Sequence, residues 1–221
     1  VGDYETALCV AGGRTGFRWL SHCCRLREVR KLIQNGIDRD TLDDIRKEME
    51  ILTHHSNLFD SRDFPLPSDH KPSRIYLLSE DRNQSLALYL VTGDKRVQSP
   101  AHNHNTWAVI AGMAGEEENT LYSKIDAPSS AKQAMLQTDN VRVIRKGDSI
   151  AFLSDDIHSI RVISDEPSCH FHLYGVSFAR QAGRLGFDLE SGRIFEMPSN
   201  GMHVDTSRQI DDMTISQERL Q

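Results

Sequence analysis

Two histidines one residue apart, His102 and His104, and a third about fifty residues later, His158, constrain the fold more than any other feature of this chain. The pair lies in Pro100-Ala101-His102-Asn103-His104-Asn105-Thr106-Trp107, and the third in Asp155-Asp156-Ile157-His158. Residues i and i+2 of an extended strand share one face. If the first stretch is extended, His102 and His104 both reach a single metal ion. A later strand then has to return His158 alongside them, as a closed antiparallel barrel does. Three neutral imidazoles that leave coordination positions open describe a catalytic metal site, not a closed structural one. Imidazole by itself suits iron, zinc, nickel and copper alike.

The rest of the pattern fits such a barrel. About eight short stretches rich in β-branched and aromatic residues follow residue 73: Ile75–Ser79, Ser85–Val91, Thr106–Gly112, Asn119–Ser123, Val141–Arg145, Ser149–Leu153, His158–Ile163 and Cys169–Val176. Gly93-Asp94, Gly112, Gly115 and Gly147-Asp148 punctuate them as turns. Residues 124–139 read as a loop or short helix. Before residue 56 the pattern is helical. One helix is expected over Phe17–Ile33, with Asn35-Gly36 as its stop; a second has Asp40 as N-cap and Leu42, Ile45, Met49 and Leu52 on one face. The expected division is a helical segment at 1–55, a connecting loop at 56–72, a barrel at 73–197 and a polar tail at 198–221.

Composition narrows the partners. Asp and Glu number 32 against 26 Lys and Arg, a net charge of −6, which argues against nucleic acid or an anionic membrane surface as a partner. No apolar run approaches the roughly 18–20 residues of a membrane span, and no basic-then-apolar leader is evident. The four cysteines, Cys9, Cys23, Cys24 and Cys169, form neither a CxxC nor a paired framework, so a reducing cytoplasm is the expected location.

These histidines, the turn glycines and the strand series resemble the cupin double-stranded β-helix, a mainly β jelly-roll barrel, here preceded by an α-helical segment. The usual cupin motif adds a glutamate three or four residues after HxH; this chain has Ala108 and Val109 there. That absence, with residues 102–122, 146–164, 170–175 and 73–78, resembles the thiol dioxygenases, namely cysteine dioxygenase and its bacterial relatives acting on 3-mercaptopropionate. The resemblance implies non-haem Fe(II) held by His102, His104 and His158, and a small carboxylate-bearing thiol oxidised by O2 to its sulfinic acid. A three-imidazole site keeps the metal's full charge and so favours an incoming thiolate.

The resemblance also implies site residues around the metal. His172 and Tyr174 match the histidine and tyrosine of the family's hydrogen-bonded relay, while His170 stands where the family has serine. Alternation puts His170, His172 and Tyr174 on one face, with Cys169 on the other. The cysteine that crosslinks to the tyrosine in mammalian enzymes is absent, with Ala108 in its place, and Trp107 follows the bacterial pattern as an expected pocket wall. Arg74 matches the arginine that binds the substrate carboxylate in cysteine dioxygenases; Arg180 and Arg184 are alternatives, since some relatives use an arginine after the tyrosine. His170 in place of serine leaves open another thiol, such as an amine thiol, and a non-catalytic metal-binding sensor is the rival of a different class.

Other signals are set aside. Cys9-Val10-Ala11-Gly12-Gly13-Arg14-Thr15 fits the CxxGxR[ST] loop of rhodaneses, but the eight residues before it are too few for the strands of such a domain. His54-His55 close a charged helix. Glu116–Glu118 read as an exposed turn without chemistry. Asp155 and Asp156 are expected to brace the turn before His158, one of them serving as acceptor for a ligand imidazole.

Overall fold

The computed structural model describes residues 14–125, 133–197, 199 and 202–209, so Cys9 and most of its loop lie outside the described residues. Helix α1 spans Arg14–Leu32 and helix α2 spans Arg39–Thr53. The N-cap of α2 is Asp38, not Asp40: the Asp38 carboxylate accepts from the Thr41 N–H at 2.8 Å. Asp38 is the last residue with extended backbone, and Asp40 falls in the first turn, where its charge meets the positive end of the helix. Leu42, Ile45, Met49 and Leu52 are buried on one face of α2, the stripe that the 3.6-residue period demands.

Twelve strands follow among the described residues. They are β1 (Ser73–Glu80), β2 (Ala87–Gly93), β3 (Ala101–His102), β4 (Ala108–Ala114), β5 (Glu117–Lys124), β6 (Leu136–Ile144), β7 (Ser149–Phe152), β8 (Ile157–Val162), β9 (Ser168–Tyr174), β10 (Leu185–Phe187), β11 (Ile194–Glu196) and β12 (Val204–Asp205). They form two six-stranded sheets, ordered β12-β1-β2-β9-β4-β7 and β11-β10-β3-β8-β5-β6. All pairings are antiparallel except β1 with β12. Strands that alternate between two facing sheets in this way make a mainly β jelly-roll barrel of the cupin type.

Besides the short β10 and β11, which no expected stretch covers, two stretches differ from expectation. Residues 136–139, read as loop, open β6, an edge strand exposed over most of its length that lacks the apolar alternation which marks a strand in sequence. Within the polar tail, Val204–Asp205 pairs with Ile75–Tyr76 along the edge of the first sheet.

The first sheet is covered on both faces. On its outer side Leu78, Leu88, Leu90, Val109, Phe171 and Leu173 pack in one cluster with Leu26, Val29, Ile45, Met49 and Leu52 of the helices. On its inner side Ala87, Tyr89, Ala108, Ile110 and Tyr174 line the barrel. β9 is therefore buried from end to end, and the parity of its residues decides what reaches the interior. Among the described residues, no helix is long and apolar enough to cross a membrane.

Candidate metal centre

β3 is the element that brings the histidines together. His102 pairs with His158 of β8 on one side and with Gly186 of β10 on the other. β3 ends at His102, so His104 is placed by a turn rather than by strand alternation. That turn carries Asn105 at φ +52°, and loop 181–185 pins it: Gln181 Nε2 donates to the His104 carbonyl at 2.8 Å, Asn105 Nδ2 to the Ala182 carbonyl at 2.8 Å, and the Leu185 N–H to Asn103 Oδ1 at 2.8 Å. Gly183, at φ +70°, lets the loop come close; a Cβ there would lie 2.8 Å from Asn105 Nδ2.

The three imidazoles are buried, and each offers a ring nitrogen within 4.8 Å of the others. His104 Nε2 and His158 Nε2 are 3.2 Å apart. Metal–nitrogen bonds of about 2.0–2.1 Å at tetrahedral or octahedral angles require separations of about 2.9–3.4 Å, so this pair already has ligand spacing. The other ring nitrogens of His102 and His158 fix their tautomers. His102 Nδ1 donates to the Pro100 carbonyl at 2.9 Å, and His158 Nδ1 to Asn119 Oδ1 at 3.0 Å, which leaves both Nε2 lone pairs free. Burial, with the nearby positive charge of Arg184, lowers His102 to about 4. Burial and the neighbouring histidines and Arg184 hold His104 and His158 well below 6.5. Neutral imidazole is the state a metal ion binds, and with the Nε2 lone pairs of His102 and His158 free and the buried His104 Nδ1 without a hydrogen-bond partner among the described residues, the residues present fit such an ion.

The interior face of β9 supplies a second group. His170, His172 and Tyr174 pair with Val91, Tyr89 and Ala87 of β2 and point into the barrel, while Cys169 packs outward in the helix-side cluster. His172 Nδ1 lies 3.2 Å from Tyr174 Oη, and the Tyr174 ring meets His104 edge-on at 5.3 Å. Burial lowers His172 to about 4 and raises the Tyr174 hydroxyl above its usual range, so both are neutral at neutral pH. Tyr174 is held between Tyr89 and Phe178, at 6.1 and 4.8 Å between ring centres.

Two expected site residues lie elsewhere. Arg74 does not join the triad: on β1, Ile75 and Leu77 pack into the barrel interior, so Arg74 shares the opposite face with Tyr76, which packs against Phe64 on the helix side. Trp107 does not wall the interior either. It precedes the inward-facing Ala108, packs against the helix-side cluster, and lies over Gly175, where a Cβ would come within 2.1 Å of its Nε1. Arg180 is exposed and donates to the Asn83 carbonyl at 2.6 Å.

Arg184 is the arginine that reaches the centre. It is 6% exposed, its charge acts on all three triad histidines, His172 and Tyr174, and burial lowers its pKa. Among the described residues it forms no ion pair with a carboxylate; its Nε makes a long contact of 3.4 Å to the Asn103 carbonyl.

The acidic triplet needs the largest correction. Glu116 and Glu118 face outward in ion pairs with Arg145 and Arg161, but Glu117 is buried inside the barrel. Its Oε1 accepts from Asn119 Nδ2 at 3.1 Å and lies 3.8 Å from His170 Nδ1. Burial acts to raise its carboxyl, and His170, His172 and Asn119 outweigh it, so the net shift is downward and Glu117 is ionised. The acceptor for His158 is accordingly Asn119, not an aspartate of the preceding turn. Asp156 instead accepts from the Leu153 N–H at 2.7 Å. The signal was present in sequence: Glu117, Asn119 and Leu121 alternate, and Leu121 pairs directly with His158.

No family model and no curated protein matches the sequence. Among solved structures the chain is similar to the DMSP lyase DddQ from Ruegeria pomeroyi DSS-3, at 20% identity over 57% of this chain and 58% of that one, with a TM-score of 0.39. It is similar to a recombinant oxalate oxidase, at 15% identity over 51% and 54%, TM-score 0.38. A cupin-like protein from Thermotoga maritima matches at 14% identity over 52% and 75%, TM-score 0.36. The match thus spans little more than half the length of the first two proteins.

Proposed function

We propose that the chain is a metal-dependent thiol dioxygenase, with Fe(II) held by His102, His104 and His158, acting on a small thiol that carries a carboxylate. One observation carries the substrate class. Arg184 is a buried guanidinium beside the triad with no carboxylate partner among the described residues, and a buried cation is stable only when an anion or strong acceptors meet it. A substrate carboxylate bound there places the thiol end of a short molecule toward the triad. Arg184 lies after the relay tyrosine, the placement found among 3-mercaptopropionate enzymes, and the reading leans to that substrate over L-cysteine.

Iron held by three imidazoles would supply the redox chemistry with O2 that adds two oxygen atoms to the thiol sulfur. The chain's own groups do the rest. Tyr174 stays protonated, and in the tautomer whose His172 Nδ1–H donates to the tyrosine oxygen, the hydroxyl hydrogen is free to be given to a reacting atom. Phe152, 4.0 Å from His158 and 5.5 Å from His104 between ring centres, helps keep water from the triad.

The test is oxygen uptake by anaerobically Fe(II)-loaded protein with 3-mercaptopropionate, L-cysteine and cysteamine, using His158→Ala as control. Sulfinate formed from a carboxythiol and lost in the variant supports the reading. Turnover of cysteamine alone would move the substrate to amine thiols. Bound iron without uptake on any thiol would leave a binding module.

A further inference from the structure

The buried pair Glu117 and Asn119 has no part in the chemistry above, yet it is connected to the triad through a single hydrogen bond. We propose that Glu117 is a positioning residue that, acting through Asn119, selects the tautomer and ring orientation of His158. A carboxamide can turn either end toward a neighbour, and the wrong end would ask His158 Nδ1 to accept. Glu117 removes that choice, because an ionised carboxylate only accepts. With Asn119 Nδ2 donating to Glu117 Oε1 at 3.1 Å, Asn119 Oδ1 is left facing His158 Nδ1 at 3.0 Å. That nitrogen must then carry the hydrogen, and Nε2 presents its lone pair toward His104 Nε2 at 3.2 Å.

The arrangement is one-directional. Polarity starts at the carboxylate, passes through the amide and ends at the ligand nitrogen. His102 has its tautomer set by the Pro100 carbonyl, a backbone group that cannot flip. His158 has only a side chain to do this, and that side chain needs its own anchor. An apolar residue at 117 would fill the interior face of β5 with less desolvation, so the carboxylate is costly unless its acceptor-only character is used. His170 Nδ1 lies 3.8 Å from the same carboxylate oxygen.

The inference rests on the metal reading only for its effect on affinity, and the experiment separates the two. Imidazole 15N shifts of His158 are measured in metal-free wild type, Glu117→Gln and Asn119→Ala, and Co(II) dissociation constants are measured on the same samples. Glutamine is isosteric with glutamate but can present oxygen or nitrogen to Asn119, so in Glu117→Gln the asparagine amide is free to turn. The wild type is expected to show His158 as a single tautomer protonated on Nδ1. Both variants are expected to lose that single tautomer and to bind Co(II) about ten- to hundredfold more weakly. Retention of the Nδ1-protonated tautomer in Glu117→Gln overturns the proposal, whatever Asn119→Ala does. A wild type that binds no metal, but whose single tautomer is released by Glu117→Gln, would sink the metal reading and leave this one standing.

Discussion

Arg39, in the first turn of helix α2, grips Asp156, 117 residues further along the chain, through two hydrogen bonds of 2.6 Å each. The same carboxylate accepts from the Leu153 N–H at 2.7 Å, closing the turn that leads into β8 and His158. The two halves of this contact are not equivalent. Arg39 is largely exposed, so water screens the pair, and Arg39→Ala is expected to cost less than about 1 kcal/mol. Asp156→Ala also strands a backbone donor and is expected to cost about 1–2 kcal/mol. Urea unfolding of the two variants checks this, and equal losses would show that the turn does not depend on the carboxylate.

Gly175 follows β9 directly beneath the Trp107 indole, and a Cβ there would sit 2.1 Å from Nε1. Gly175→Ala therefore forces the indole off its site, with an expected loss of about 1–3 kcal/mol from overpacking. Trp107 is one of two tryptophans, so the readout is its emission in a Trp19→Phe background. A shifted emission with lowered stability is expected. Unchanged emission would mean that the indole does not lie over residue 175.

What could be read from sequence depended on whether the two covered faces of a strand differ in residue type. β9 was legible, because His170, His172 and Tyr174 alternate against the apolar Cys169, Phe171 and Leu173. β1 was not. Helices cover one of its faces and the barrel the other, so Arg74, Tyr76 and Leu78 and the alternate set Ile75 and Leu77 look equally suited to either side. Only the register with β2 decides, and it sends Arg74 outward. Glu117 was missed for the opposite reason. A run of three glutamates reads as solvated, and the middle one is buried because β5 alternates through it. β3, β10 and β11 were too short to leave a periodic signal, yet β3 and β10 hold the histidine turn in place.

His22, buried on helix α1, predicts an acid sensitivity separate from the metal centre. Burial is the main cause that lowers it from 6.5 to about 4, helped by the Arg18 charge and opposed by the Arg18 carbonyl. Between those values the unfolded chain binds a proton that the folded chain does not, so stability is full above about pH 6.5 and falls as pH drops toward 4. At pH 5 the loss amounts to about 2 kcal/mol. His22→Gln removes the group, so the stability lost between pH 7.5 and 5.0 is expected to be smaller than in wild type by about that amount. The comparison cancels whatever the substitution costs at pH 7.5, and it cancels the acid response of the other histidines. An identical pH dependence would show that His22 is not held in its neutral form.

Arg184 predicts opposite effects on stability and on substrate binding. Its guanidinium is buried without a carboxylate partner among the described residues, and it adds positive charge beside four histidines. Among the described residues that charge meets no carboxylate, so Arg184→Met, which keeps the bulk and among those residues gives up the 3.4 Å contact to Asn103, is expected to be at least as stable as wild type. With a carboxythiol bound, the same charge is the partner of the substrate carboxylate. KM for 3-mercaptopropionate is then expected to rise about ten- to hundredfold, the range for losing a charge-assisted bidentate pair. Arg184→Lys retains the charge without the planar fork and is expected to fall between the two. Turnover of a thiol lacking the carboxylate should not suffer in either variant. A methionine variant less stable by more than about 2 kcal/mol would make Arg184 a structural residue instead, since the guanidinium would then be contributing bonds that outweigh its burial. Gained stability together with lost carboxythiol affinity is what a group held in place for an absent anion would produce.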